Sequence, residues 1–155
     1  MAEKGIVNAT ILAIVDAEDR VPLGGLFAGS DWKLAFTGTL AETQAALWST
    51  IPGVVISDRR LSDGYSWKQL LQEMLKMADP PPLIVADRMA DDRLWAEVLN
   101  LGAYDLLAKP FEALEVFHAV TTACRRHESE KGIPRRRNGA ERPKESVRAA
   151  VGAPW

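Results

Sequence analysis

Val54-Val55-Ile56-Ser57-Asp58 follows Pro52-Gly53 and runs into the turn-like Arg59-Arg60-Leu61-Ser62-Asp63-Gly64. An unbroken β-branched and aliphatic run of this length reads as a strand covered by helices on both faces, and so as the centre of a parallel sheet. Ligands of such sheets gather at the carboxyl ends of the strands, so an acid there points into the expected crevice. A plainer reading of Asp58, an acid that caps the following loop, stands beside it on this stretch alone.

Working outward, the same pattern recurs. Thr10 to Val15 is a second short apolar run and ends on Asp16; Leu83-Ile84-Val85-Ala86, after Asp79-Pro80-Pro81-Pro82, is a third and ends on Asp87. Lys33 to Thr37 alternates as an outer strand does, and Tyr104 to Ala108 leads into Lys109-Pro110-Phe111. Between these runs the apolar spacing predicts helices at Asp19–Ala28, Leu40–Ser49, Tyr65–Met77, Ala90–Leu101 and about Glu112–Arg126. Pro22 and Gly24-Gly25 predict that the first of these is short or irregular. The third should bury Trp67, Leu70, Leu71 and Met74. The fourth should bury Leu94, Val98 and Leu101 and stop at Gly102. Five alternations of strand and helix predict an α/β fold with a doubly wound, five-stranded parallel sheet flanked by five helices.

With 155 residues, 47% of them hydrophobic, the chain suits one domain with a sizeable core, expected over residues 8–126. The net charge of −2 hides a division: residues 1–124 carry 10 basic and 17 acidic side chains, residues 125–155 carry 9 and 4. Residues 127–155 have no apolar period and are expected to form a basic, disordered tail. Arg135-Arg136-Arg137 reads as part of a solvated tail, so nucleic acid is not an expected partner. Cys124 is the only cysteine, which excludes an intrachain disulfide and a cysteine metal cluster and agrees with a reducing compartment. No cationic-then-apolar leader opens the chain and no apolar run approaches membrane-spanning length, so a cytoplasmic protein without membrane contact is expected. His118 and His127 have no metal-ligand partner at useful spacing and read as ordinary helix residues.

A doubly wound sheet would set Asp16, Asp58, Asp87 and Lys109 side by side at its carboxyl edge. Hard oxygen donors from a few carboxylates suit Mg²⁺, which keeps several waters and accepts a phosphoryl oxygen. A lysine facing them would pair with Asp58 and then with a phosphoryl oxygen.

Three segments, Ile11–Asp16, Val54–Asp58 with Leu61-Ser62-Asp63-Gly64, and Gly102–Phe111, resemble in order and spacing the receiver domain of bacterial response regulators, the CheY-like fold, over about residues 8 to 125. The resemblance implies a flavodoxin-like strand order 2-1-3-4-5. It implies that Asp58 accepts a phosphoryl group from a histidine kinase or phosphotransfer protein, with Mg²⁺ bound weakly beside it. Asp16, Asp58 and the backbone carbonyl of Arg60 would be the metal ligands. Lys109 would face the phosphate, and the Lys109-Pro110 bond would be cis.

Three departures qualify these expectations. The first acid of the family's pair falls on Val15, the hydroxyl that ends the fourth strand on Asp87, and the aromatic switch position on Leu106. A carboxylate at Asp87, about 5 Å from the phosphoryl group in a medium of effective dielectric near 20, would repel it by on the order of 3 kcal/mol. Asp87 would either replace the acid lost at Val15 or lock Lys109 in an ion pair. Arg59 and Arg60 could both reach Asp58, although a solvated loop is the plainer reading. Trp95, with Leu94 and Leu101 nearby, marks either core packing or an exposed patch on the face receivers use for partners, a homodimer among them. The expected function is phosphorelay signalling by a single-domain response regulator that acts on an unidentified output protein by contact and is not a turnover enzyme. The alternative is a pseudo-receiver that works as an interaction module without phosphate. No Gly-rich phosphate loop or nucleophile motif supports an enzyme on the same fold.

Overall fold

The computed structural model describes residues 9–130. The sequence-based start at residue 8 and the basic tail beyond residue 130 lie outside the described residues. Five strands alternate with five helices: β1 Thr10–Ile14, α1 Ala17–Phe27, β2 Lys33–Phe36, α2 Leu40–Thr50, β3 Val54–Asp58, α3 Trp67–Met74, β4 Leu83–Asp87, α4 Asp92–Leu101, β5 Asp105–Ala108 and α5 Ala113–Glu130. All pairings are parallel, in the order β2-β1-β3-β4-β5. This is the doubly wound fold that the apolar runs and the resemblance imply.

The runs are unbroken because both faces of the sheet are covered. Along β1 and β3, Ile11, Ala13, Val54 and Ile56 pack beneath Leu23 and Phe27 of α1 and Val116, Ala119 and Val120 of α5. Their neighbours Leu12, Ile14 and Val55 point the other way, under Leu40 and Leu47 of α2, Trp67 and Leu70 of α3, and Leu94 and Val98 of α4. Successive side chains of a strand alternate faces, so only a two-sided core needs apolar residues at every position. Each of the larger aliphatic side chains, taken fully out of water, contributes roughly 1.5–3 kcal/mol.

Local signals set the helix ends. Thr39 caps α2 by accepting from the Glu42 amide, Ser66 and Gln69 form a capping box on α3, and Asp91 caps α4 by accepting from the Leu94 amide. Gly102, at φ 110°, closes α4 as expected, in a conformation that costs an L side chain free energy. Three expectations change. α1 is a regular helix of 11 residues despite Pro22 and the two glycines, because Leu23 and Phe27, 0% and 3% exposed, anchor it to the sheet. Leu101 is not on the buried face of α4 but 46% exposed, and Leu99 is buried in its place. α5 runs four residues past the predicted Arg126, to Glu130. There His127 lies 3.4 Å from Asp79 in the loop before β4.

Candidate functional site

The carboxyl edge of the sheet carries the site. Asp58, the last residue of β3, is 5% exposed although it carries a carboxyl group. Its Oδ2 accepts a hydrogen bond from the backbone amide of Asp16 at 2.9 Å. Its Oδ1 lies 2.6 Å from Lys109 Nζ, yet this atom, closed to solvent, has no hydrogen bond of good geometry. Nζ also donates to Oδ2 of Asp19 at 2.7 Å. One buried ammonium thus spans two carboxylates. The Lys109-Pro110 bond is cis, as the resemblance implies.

Asp19 was not among the expected site residues. It stands in the first turn of α1, three residues after Asp16, which is the N-cap residue. That spacing returns its side chain over the helix N-terminus and towards the strand ends. Its burial is purchased by Lys109 and by the favourable helix terminus. Asp16, Asp19 and Asp58 each offer a carboxylate oxygen, and these oxygens lie within 4.8 Å of one another. An all-oxygen set of three acids fits a hard divalent cation.

Burial pushes the Asp58 carboxyl up from its ordinary range; Lys109 and the Asp16 amide pull it down without cancelling that, and the Asp16 charge adds a small upward push. For Lys109, burial acts to lower the pKa, but the carboxylates of Asp19 and Asp58 outweigh it and the pKa rises. The lysine therefore stays charged, and Asp58 is an acid whose ionised form the fold tolerates poorly.

Asp87 ends β4 as predicted and stands apart from the ion pairs of Lys109. Lys109 pairs with Asp19 and Asp58, and the three-acid cluster forms without Asp87. Its Oδ2 accepts from the Met89 amide at 3.0 Å and lies 3.6 Å from Arg59 Nη1. The register explains this: Ala86, not Asp87, is level with Asp58, so Asp87 lies level with the residue after it. Asp16, and not Asp87, is the acid whose charge acts on Asp58. Arg60 lines a crevice of about 180 Å³ that Asp16, Arg20, Gly38, Asp58 and Ser62 also line. Arg20 donates to the Thr37 carbonyl at 3.3 Å and stacks on Phe36, while Arg88 donates to Glu18 at 2.7 Å. The turn after β3 is fixed from outside the site: Asp63 accepts from the Leu40 amide at 2.9 Å, and Ser62 donates to the Gly38 carbonyl at 2.7 Å. Leu106 is half-buried against the α2–α4 side of the core. Trp95 is half-buried and hydrogen-bonds Asp105, whose carboxyl burial raises.

No family model matches the chain. The transcriptional regulatory protein FixJ of Bradyrhizobium diazoefficiens is 32% identical over 97 residues, which are 60% of this chain and 47% of FixJ, so the chain spans about half the length of that relative. The signal receiver domain assigned to a LuxO repressor protein of Vibrio parahaemolyticus superposes with a TM-score of 0.73 at 19% identity, over 84% of this chain and all of that one. That of an HD domain-containing protein from Pseudomonas fluorescens gives 0.72 at 22% identity, over 86% of this chain and 98% of that one. A response regulator receiver domain protein from Clostridium thermocellum gives 0.69 at 20%, over 77% and 97%. No helix among the described residues is long and apolar enough to cross a membrane. The parallel order β2-β1-β3-β4-β5 is common to the predicted and the observed sheet, and with these likenesses it gives the chain the receiver fold of two-component response regulators.

Proposed function

We propose that the domain takes a phosphoryl group on Asp58 from a histidine kinase or phosphotransfer protein and signals by contact with a partner. It would act as a signalling module rather than as an enzyme that turns over substrate. One observation carries the reading: a carboxylate oxygen, buried at a strand end and lacking a well-aligned hydrogen bond, faces a buried lysine with two more acids around it. That oxygen attacks phosphorus, an O–P bond forms, and the bond to the donor's nitrogen or oxygen breaks with its electron pair leaving on the donor. Lys109, already at 2.6 Å, neutralises charge on the incoming phosphoryl oxygens. Asp16, Asp19 and Asp58, with the Arg60 carbonyl, would hold Mg²⁺, which supplies charge neutralisation to the transferring group. The half-buried Trp95 and exposed Leu101 make the α4 side a candidate contact face, for a partner or a second copy.

Incubation with acetyl phosphate and Mg²⁺, read by intact mass, tests the reading. The expected result is one phosphoryl adduct that is absent from Asp58→Asn. Asp87 in place of a hydroxyl favours a second reading, an interaction module that never carries phosphate, and the lack of any adduct at all would overturn the phosphoacceptor reading.

A further inference from the structure

Resting on the reading of Asp58 as phosphoacceptor, we infer that Arg59 is the phosphate-sensing residue of this domain and that its exchange between Asp87 and the phosphoryl group does the work of the absent hydroxyl and aromatic switch.

Charge sets up the exchange. Converting the Asp58 carboxylate to an acyl phosphate adds negative charge beside Asp16 and Asp19, while Lys109 is already shared between two carboxylates at 2.6 and 2.7 Å. A further cation would add to the neutralisation that Mg²⁺ supplies, and the neighbouring arginines are not equally placed to provide it. Arg20 is held by the Thr37 carbonyl and the Phe36 ring. Arg88 is held by Glu18 at 2.7 Å. Arg60 lines the crevice, but its movement would leave no described acid without its cation. Arg59 adjoins Asp58 in the chain, is 47% exposed, and touches Asp87 at only 3.6 Å. Loose, half-exposed pairs of this kind are weak and exchange easily, whereas a guanidinium on phosphate makes paired, charge-assisted hydrogen bonds.

The consequence lies at Asp87. The Arg59 guanidinium and the Met89 amide both meet Oδ2, so this one carboxylate ties the residue after the acceptor to the turn that opens the segment before α4. When Arg59 moves to the phosphoryl oxygens, Asp87 loses its cation and faces a new anion. Its grip on the Met89 amide then changes, and with it the turn that carries the exposed Met89 side chain. No bond forms or breaks at either residue; the covalent step stays at Asp58.

The test uses the full chain with Mg²⁺, following the Met89 amide by ¹⁵N NMR before and after adding beryllofluoride as a stable phosphoryl mimic. Adduct formation from acetyl phosphate is followed in parallel by intact mass. In the wild type the Met89 amide should shift on addition. In Arg59→Gln it should be displaced beforehand and unmoved by the mimic, and the adduct should form about tenfold more slowly; Arg59→Lys should restore part of both. A Met89 response in Arg59→Gln equal to that of the wild type, or an adduct rate unchanged within about twofold, overturns the inference while the phosphoacceptor reading stands. Absence of any adduct on the wild type overturns that reading, and the inference falls with it.

Discussion

Lys109 decides the charge balance at the centre of the domain. Its side chain is 6% exposed and is held by Asp19 and Asp58, so replacing it with an uncharged residue leaves two acids facing each other without a cation. Breaking a buried pair from one side costs about 3–5 kcal/mol, and Lys109→Met should fall near about 3 because Asp58 can take up a proton. Urea unfolding at neutral pH measures this, and the gap to the wild type should narrow in acid. Asp58 gives a signed companion. Its pKa is raised in the fold, first by burial, so its contribution to stability is fully present below the unfolded pKa and is lost as pH rises through the folded one. Asp58→Asn, which imitates the protonated acid, should therefore melt above the wild type at neutral pH, and the two should converge as pH falls towards the unfolded carboxylate range. A melting point below that of the wild type at neutral pH would mean that Lys109 and the Asp16 amide outweigh burial. How much of the site was legible follows from the same residues. Asp16, Asp58, Asp87 and Lys109 could be placed from strand ends alone, because a strand end is a position in the chain. Asp19 was missed because it was read as the start of a helix, although an acid three residues after another at a strand–helix junction is a signal that sequence carries. The Arg59–Asp87 pair depends on where a long side chain turns, which residue spacing does not specify.

Elements were legible where burial alone shapes them. β1, β3 and β4 are apolar runs buried on both faces, and each lies within a residue of its expected bounds. α3 is shorter than the predicted Tyr65–Met77 because Ser66 caps it at one end and a non-helical turn through Met77 closes it at the other. Leu101 shows the limit of counting apolar periods: it extends the Leu94–Val98 stripe, but Gly102 ends the helix there and the chain turns towards β5 with Leu101 outside. In α1 packing overrides propensity, and this leaves stability unused. A Cβ at Gly24 or Gly25 would meet nothing within 4 Å, and neither has the positive φ that favours glycine. Gly24→Ala and Gly25→Ala should each stabilise the fold by about 0.5–1 kcal/mol. Denaturant midpoints would show it, with the slope unchanged; destabilisation would mean that α1 must bend at its glycines.

For the whole molecule, the acidic edge and the stability of the fold are one equilibrium. Missing the acid at Val15, the sequence predicts weak Mg²⁺ binding; Asp19 supplies a third carboxylate but holds it against Lys109. An ion entering between Asp16, Asp19 and Asp58 must draw both buried acids away from the ammonium, which offsets part of its own attraction. Mg²⁺ also sheds water reluctantly. Weak binding follows from this competition; for a dissociation constant on the order of 1 mM, about 10 mM Mg²⁺ would stabilise the folded state by about 1.4 kcal/mol by mass action. Thermal melts against Mg²⁺, with NaCl matched for ionic strength, should show a saturable rise that Asp19→Asn removes. In Lys109→Met the competitor is gone and both acids still face the site. There Mg²⁺ should bind more tightly and recover most of the stability that the substitution removed. A Lys109→Met domain that gains no more from Mg²⁺ than the wild type would show that lysine and metal do not share these carboxylates.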